Sequence, residues 1–310
     1  MGSAPRWINE KYVIATTQRT VDRQFLTLPT AVLRNLVGAC AARALMEFPV
    51  LLYWLEININ HEHLGIAPTD GTKDAYTRVI RFKQLYHRLF AWGVNSLLGR
   101  EGALFSSPSK DVLCLDNESV QAAFEYAITN PVKDGLVDRV AHWTGFSSYP
   151  SVALGEDMAF TFIDWTAWHE AGGKRSGKPP EAFTKTVHLS FTPLPGTEKI
   201  TPGERQSLIR RQCRALEQKF REQREKEGRK VMSATRLAKL GYRDRPSTPA
   251  KKSRKPIYRG ASQEVIDEFL DAYEEFLKAY RSASIAYRNG NFDAAFPRGS
   301  FRPPLLDAAS

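Results

Sequence analysis

The chain has 310 residues, of which 42% are apolar and 25% are charged. This composition is typical of a globular protein and excludes a wholly disordered chain, while the length favours two domains. The longest apolar run, Phe48 to Leu55, is interrupted by Pro49 and is too short to span a membrane. No secretory signal is recognisable, and three widely spaced cysteines suit reduced thiols. We therefore expect a cytoplasmic protein that does not associate with a membrane.

The net charge of +10 is distributed very unevenly along the chain. Residues 1–170 carry 15 basic and 18 acidic residues, whereas residues 171–310 carry 29 basic and 16 acidic residues. The segment 205–259 alone has 19 basic and 5 acidic residues. Such an asymmetry indicates a polyanionic partner, nucleic acid before an anionic membrane surface, although a solvated helix and tail is the alternative.

Hydrophobic periodicity and helix-boundary residues divide the first 150 residues into alternating strands and helices. In chain order, the sequence predicts a strand at 12–17, a helix at 30–48, two strands within 50–66 that meet near 58–60, a helix at 74–98, a strand at 111–115 and a helix at 117–130. This order predicts the α+β class, with a small antiparallel sheet and helices on one face.

The second half of the chain has a different character. Glycines, prolines and charged residues predict a linker over 171–200. A basic helix is predicted from Thr201 to about Glu227, and the Pro- and Ser-dotted stretch 228–260 is expected to order only with a partner. An amphipathic helix is predicted over 262–288. The predicted domains are thus a domain at 1–170, the linker, and a basic, mostly helical extension at 201–310.

The segment Asn60-His61-Glu62-His63 is the first candidate site. Alternate residues of a strand share a face, so two imidazoles could reach one ion. In one unbroken strand, however, these histidines would share the apolar face of Leu55, Ile57 and Ile59 and would be buried core residues. A turn at 58–60 resets that parity. The sequence leaves both interpretations open.

The segment from Tyr126 to Val132 (YAITNPV) is the second candidate site. At 100° per residue, Tyr126 lies well away from the apolar stripe of its helix, and Asn130 lies one turn further on the same side. A phenol and an amide on one polar face could serve chemistry. The alternatives are a half-exposed tyrosine, and an asparagine that caps the helix following Pro131.

These segments, in this order, resemble the REP-associated tyrosine transposases of the single-tyrosine HUH superfamily. The resemblance covers about residues 12–150. It rests on the first strand and its exit (12–26), on Asn60-His61-Glu62-His63-Leu64 as an N-H-x-H-L motif, on residues 126–137 (YAITNPVKDGLV) as the Y-x-x-x-N-P-V-x-x-G-L-V signature, and on Trp143, Gly145 and Ser147-Ser148. The histidine pair alone is a weak signal, whereas the tyrosine signature is specific.

The resemblance implies a ferredoxin- or RRM-like HUH domain that cuts and rejoins single-stranded DNA. It implies that His61, His63 and Asn130 hold a divalent metal, Mg²⁺ or Mn²⁺, and that Tyr126 is the nucleophile forming a 5′-phosphotyrosine intermediate. Two positions depart from the family pattern. Glu62 replaces the usual apolar residue between the histidines, and Asn58-Ile59 replaces the usual Met-Pro or Met-Ser.

The implied partner is single-stranded or hairpin DNA, bound by a monomer or a homodimer associated with the nucleoid of a prokaryotic cell. The candidate DNA-binding residues are Arg19, Arg81, Lys83, Arg88, Arg210, Arg211, Arg214, Lys251, Lys252, Arg254 and Lys255. Two alternatives remain at this point: a domesticated, catalytically weak DNA- or RNA-binding regulator on the same fold, and, less favoured, a relative of replication initiators or relaxases.

Overall fold

A computed structural model describes residues 5–106, 109–247 and 257–303. In chain order, its strands and helices are β1 (Val13–Arg19), α1 (Ala31–Glu47), β2 (Leu51–Ile57), β3 (His61–Ala67), α2 (Lys73–Leu98), β4 (Lys110–Cys114), α3 (Asn117–Ile128), α4 (Asn130–Lys133), α5 (Tyr149–Leu154), β5 (Ala159–Ile163), α6 (Trp165–Glu170), β6 (Thr184–His188), α7 (Pro202–Lys226), α8 (Ala234–Ala238), β7 (Tyr258–Arg259) and α9 (Gln263–Arg288).

Five strands form the central sheet in the order β2-β3-β1-β4-β7. All neighbours are antiparallel except β4 and the two-residue β7, which are parallel. The α+β class and the antiparallel sheet predicted from the sequence are therefore confirmed. The Thr201 side chain caps α7 as predicted, and the side chains of Thr30 and Thr72 likewise accept hydrogen bonds from the first turns of α1 and α2.

Helices cover both faces of the sheet, whereas the sequence predicted them on one face. On one face, Ile14, Leu64 and Ile66 pack in the core with α1 and α2. On the other face, Val13 and Trp54 belong to a second core with α3 and α7. The physical reason is that apolar side chains stand on both sides of these strands, so both sides must be removed from water.

The segment predicted as a linker, 171–200, contains the strand β6. This strand pairs with β5 in a separate two-stranded sheet, and the Thr161 side of that sheet is held by the Asn35 side chain of α1. The domain boundaries themselves stay a prediction. Among the described residues, no helix combines the length and the apolar character that crossing a membrane requires.

Part of the stretch expected to order only with a partner is packed against the rest of the protein. Met232, Leu237 and Leu240 lie against the buried cluster that includes Phe25 and Trp143. The expectation was wrong for these residues, because the few apolar side chains between the basic ones suffice to anchor the segment.

Lys83, predicted to bind DNA, is a buried structural residue instead. It lies on the face of α2 that turns toward the sheet, where its Nζ donates to Asp111 Oδ1 at 2.7 Å, to Ser109 Oγ at 2.9 Å and to Thr16 Oγ1 at 3.1 Å. Burial opposes ionisation of Asp111, but the charge and hydrogen bond of Lys83 outweigh it, so the pKa of this carboxyl lies below its usual value.

We expect Lys83→Met to lower the free energy of unfolding by about 2–3 kcal/mol, because it leaves Asp111 without its main counter-charge. The matched variant Arg81→Met, at an exposed position of the same helix, should change it by less than about 0.5 kcal/mol. Urea unfolding at pH 7 measures both. Since the pKa of Asp111 is lowered in the folded state, the difference between Lys83→Met and the wild type should shrink as the pH falls below about 4. Equal stabilities of the two variants at pH 7 would contradict the assignment.

Candidate active site

A tight turn between β2 and β3 decides which face the histidines occupy. The Asn58 N–H donates to the His61 carbonyl at 2.9 Å, and Glu56 rather than Leu55 is in register with His63. Leu55 therefore lies in the core with α1 and α2, while the His63 ring lies on the opposite face, toward α3. The turn at 58–60, one of the two possibilities left by the sequence, is therefore present. It places His61 and His63 on the face of the sheet opposite Leu55.

Tyr126 of α3 lies beside this histidine pair. Its ring meets the His63 ring edge-on at a centroid distance of 5.4 Å, and the His61 and His63 rings are 5.0 Å apart. Tyr126 is 42% exposed, which agrees with its position away from the apolar stripe of its helix. The Lys133 ammonium lies 4.3 Å from the centre of the Tyr126 ring, a cation–π contact that restrains the ring. The half-exposed Tyr126 phenol thus lies between the His63 imidazole and the Lys133 ammonium group.

Asn130 is buried at the start of α4 and points into the same cluster. Its Oδ1 accepts a short hydrogen bond from Asn58 Nδ2 and lies 3.1 Å from His61 Nε2. Thr129 is the N-cap residue of α4, and no side-chain cap bond is formed there. The capping alternative for the Asn130 side chain is therefore wrong, and the structure brings Asn130 together with His61.

Neighbouring polar side chains orient both imidazoles. His61 Nδ1 lies 2.7 Å from Asn60 Oδ1, which can only accept, so the Nδ1–H donates and Nε2 carries the lone pair. His63 Nδ1 lies 3.1 Å from Thr17 Oγ1 on the adjacent strand. Such hydrogen bonds to the far nitrogen are typical of metal-binding histidines.

The cluster fits a hard divalent cation in its donor chemistry and spacing. Ligand atoms about 2.1 Å from a cation, on adjacent corners of an octahedron, are about 3.0 Å apart. His61 Nε2 and Asn130 Oδ1, at 3.1 Å, match that spacing. Within the ranges that the structure describes, no three His, Cys, Asp or Glu side chains form a metal cluster. The donor atoms that this cluster offers a cation are the imidazole nitrogens of His61 and His63 and the amide oxygen of Asn130.

Glu62 does not border the site. It faces the α1–α2 side, where its carboxylate accepts a hydrogen bond from the Tyr86 hydroxyl at 3.2 Å and forms a short contact with His87 Nε2. The alternation of a strand places it on the face opposite His61 and His63. The Glu62 carboxylate, which departs from the family pattern, therefore has its partners on α2. It does not alter the histidine cluster.

Glu56 is a buried residue of the site's face that the sequence reasoning missed. It lies in register with His63, and its Oε1 accepts from Ser148 N at 2.9 Å and Ser148 Oγ at 2.7 Å. Burial raises the pKa of the Glu56 carboxyl to about 8, although the hydrogen bonds from Ser148 and Ser147 oppose the shift. A lone carboxylate inside the apolar run of β2 was the available signal.

Helix α7 holds the loop that carries Asn130. The Arg224 guanidinium donates to the Val132 carbonyl at 2.6 Å, and Glu217 Oε1 accepts from the Val140 N–H at 2.8 Å. Both side chains are buried, so they serve the fold and not a solvent-side partner. The sequence reasoning saw only a basic helix at this point and missed these contacts.

The predicted DNA-binding residues lie in three different places. Arg19 is exposed and in register with His61, at the edge of the site. Arg81 and Arg88 line a cleft of about 490 Å³ between α1 and α2, on the far side of the sheet from Tyr126. Lys251, Lys252, Arg254 and Lys255 lie outside the described residues.

On α7, the three predicted arginines also differ. Arg210 is half-buried, and its guanidinium donates to the Ala153 carbonyl at 2.6 Å and to Ser207 Oγ at 2.9 Å. Its role is therefore structural, in contrast to the prediction. Arg211 and Arg214 are exposed. They remain candidates for contacts with phosphate groups.

No protein-family model matches the sequence, and no curated protein matches it. Among solved structures, one that shows a REP-associated tyrosine transposase bound to a REP hairpin is similar to this chain. The two are 18% identical, the match covers 50% of this chain and 86% of that chain, and the TM-score is 0.38. A TM-score this low does not assign a function.

We expect Glu56→Gln to gain stability relative to the wild type as the pH rises from about 5 to 8. In the wild type, the folded state keeps the Glu56 proton up to a pKa of about 8, whereas the unfolded chain loses it near 4.5, so stability falls across this window. Glutamine has no such proton, and the difference should reach a few kcal/mol at about 1.4 kcal/mol per pKa unit. Thermal unfolding in EDTA at several pH values measures it, and a difference that does not change with pH would exclude a buried, raised-pKa carboxyl.

Proposed function

We propose that this protein is a metal-dependent endonuclease and strand transferase for single-stranded DNA, of the HUH transposase type, with Tyr126 as its nucleophile. The observation that supports this best is the convergence of two segments far apart in sequence, 61–63 and 126–130. Tyr126, which is 42% exposed, contacts His63, and Asn130 lies 3.1 Å from His61, on the α3 face of the sheet. These are the four residues that the sequence resemblance singles out.

In the proposed reaction, the Tyr126 phenol oxygen forms a bond to the phosphorus of a DNA phosphodiester. The bond from phosphorus to the 3′-oxygen breaks, the 3′-oxygen leaves as a hydroxyl after gaining a proton, and the phenol proton passes to solvent. The product is a 5′-phosphotyrosine and a free 3′-hydroxyl. Because the phosphodiester energy is retained in this linkage, attack by another 3′-hydroxyl reverses the step and joins the strands.

His61, His63 and Asn130 are the residues that would hold a divalent cation, Mg²⁺ or Mn²⁺. Such a cation supplies Lewis-acid stabilisation of a phosphate oxygen and of the leaving oxygen. The chain itself orients the participants. Asn60 and Thr17 fix the imidazoles, Arg224 fixes the loop of Asn130, and the sheet keeps the tyrosine helix against the histidine strand.

The charges around the site suit a single strand that enters beside a hairpin. Lys133 lies over the Tyr126 ring and Arg19 lies at the end of β1, so two cations border the nucleophile. Arg211 and Arg214 add positive charge on α7, in the layer that contains α3. These charges favour contacts with DNA phosphates, and the sequence resemblance leads us to propose hairpin DNA of the REP type with a flanking single strand as the partner.

We expect Tyr126→Phe to abolish covalent attachment to DNA while hairpin affinity changes less than about twofold, because only the nucleophilic oxygen is lost. The measurement is a denaturing gel of full-length protein with 5′- or 3′-labelled hairpin DNA and Mn²⁺ or Mg²⁺. The adduct should retain the 3′-label, should require the metal and should be absent from His61→Ala.

The accompanying native gel separates the competing functions. Tight hairpin binding by the wild type with no adduct across a panel of hairpin sequences would favour the DNA-binding regulator. An adduct that persists in Tyr126→Phe would remove Tyr126 as the nucleophile. Tyr12→Phe, a tyrosine in the aromatic cluster near α9, is the matched control and should form the adduct normally.

We expect the double variant Arg211→Gln/Arg214→Gln to weaken hairpin binding. It should also reduce the slope of log K against log salt by about 1.5, because each phosphate contact that is lost lowers the number of counterions released on binding. The control Arg81→Gln/Arg88→Gln removes the same charge from the far side of the sheet and should leave the slope unchanged. Fluorescence anisotropy across a salt series measures both. Equal slopes for the two variants would mean that α7 does not follow the DNA backbone.

A further inference from the structure

Asn58 lies at the centre of the cluster and takes no part in the proposed reaction. Asn58 is 1% exposed, and its side-chain amide lies between two of the atoms assigned to the cation. Its Nδ2 is 3.1 Å from His61 Nε2 and donates a short hydrogen bond to Asn130 Oδ1. Its Oδ1 is also buried and has no hydrogen-bond partner within the described residues.

This arrangement leaves one strong acceptor unsatisfied in the protein interior. A buried amide oxygen without a partner costs free energy, and the burial of Asn58 rules out compensation by bulk water. The backbone of Asn58 is fixed on both sides, because its N–H donates to the His61 carbonyl and its own carbonyl accepts from Thr27 Oγ1. Only the side-chain amide is free to reorient.

The distances between the side-chain atoms around Asn58 match those between neighbouring ligands of a divalent cation. Asn58 Nδ2 and His61 Nε2 are 3.1 Å apart, and so are His61 Nε2 and Asn130 Oδ1. These are the separations of neighbouring ligand atoms around Mg²⁺ or Mn²⁺. A half-turn of the amide exchanges its nitrogen and oxygen at nearly constant shape. It would bring a third lone-pair atom toward His61 Nε2 and Asn130 Oδ1, an arrangement that a bound cation makes favourable.

We propose that Asn58 is a further ligand of the divalent cation, with its amide group turning from donor to acceptor when the cation binds. The inference rests on the proposed function only in assuming that His61, His63 and Asn130 hold the cation. Without the cation, the NH₂ group satisfies the lone pairs of His61 and Asn130 and keeps them in place. With the cation, Oδ1 joins them and adds a second amide oxygen to the two imidazoles, which suits Mg²⁺ and Mn²⁺ better than two imidazoles and one amide do.

The test is isothermal titration of Mn²⁺ into the full-length protein, with two variants that separate a ligand from a hydrogen-bond donor. Asn58→Leu keeps the number and branching of the side-chain heavy atoms but removes the ligand, so Mn²⁺ affinity should fall at least tenfold. Asn58→Asp keeps the shape, adds a carboxylate ligand and removes the donor, so affinity should rise about tenfold. Asn289→Asp, an exposed change of the same charge at the end of α9, is the control and should match the wild type.

Each outcome decides between the possibilities. Wild-type affinity in Asn58→Leu would overturn the proposal, and weakened binding in Asn58→Asp would overturn it in favour of a donor that only holds Asn130 and His61. His61→Ala is titrated alongside. If it loses Mn²⁺ binding while Asn58→Leu keeps it, the proposed function stands and the role of Asn58 does not. If the wild type binds no Mn²⁺, both the metal part of the proposed function and this inference fail. Thermal unfolding of each variant in EDTA identifies any loss of folding.

Discussion

The register of β3 between its two neighbours is the constraint on which the site depends. β3 is hydrogen-bonded to β1 on one edge and to β2 on the other, and a shift of one residue would exchange the faces of all its side chains. Packing fixes the register as well, because a Cβ on Gly65 would lie 2.3 Å from the Trp54 ring. Only glycine fits there. With this register, His61 and His63 meet the tyrosine helix, and Glu62 meets α2.

Buried polar groups lie on both faces of the sheet, but their pairing differs between the two faces. On the α2 side, two buried charged groups are paired: Glu62 with His87, and Lys83 with Asp111. On the α3 side, the amide oxygen of Asn58 and one carboxyl oxygen of Glu56 are buried without a hydrogen-bond partner among the described residues. A buried polar atom without a partner calls for an explanation, and the proposed cation would give the Asn58 oxygen a partner.

Local signals predicted the elements well, because caps, prolines and periodicity act within a few residues. The bounds of α1, α2, α7 and α9 differ from the predicted ones by one or two residues. The sequence predicted one helix through Tyr126 and Asn130, whereas α3 ends at Ile128 and Asn130 begins α4, although both side chains lie at the same histidine pair. What the sequence could not give were contacts between distant segments. The buried role of Lys83 depends on Asp111, and the place of Asn58 depends on Asn130. Neither pairing leaves a periodic trace in the chain.

Helix α7 was assigned to a separate extension because of its charge, yet its inward side chains pack in the same core as α3. Its composition is basic, yet Ile209, Cys213, Glu217 and Arg224 turn inward and are buried, and two of them hold the loop between Asn130 and Val140. Removing the helix would expose the core below α3 and release the loop of a candidate ligand at once. A loss of DNA binding in such a truncation would therefore say nothing about phosphate contacts. Only exposed charges such as Arg211 can separate binding by this helix from its structural role, because changing them leaves the inward face intact.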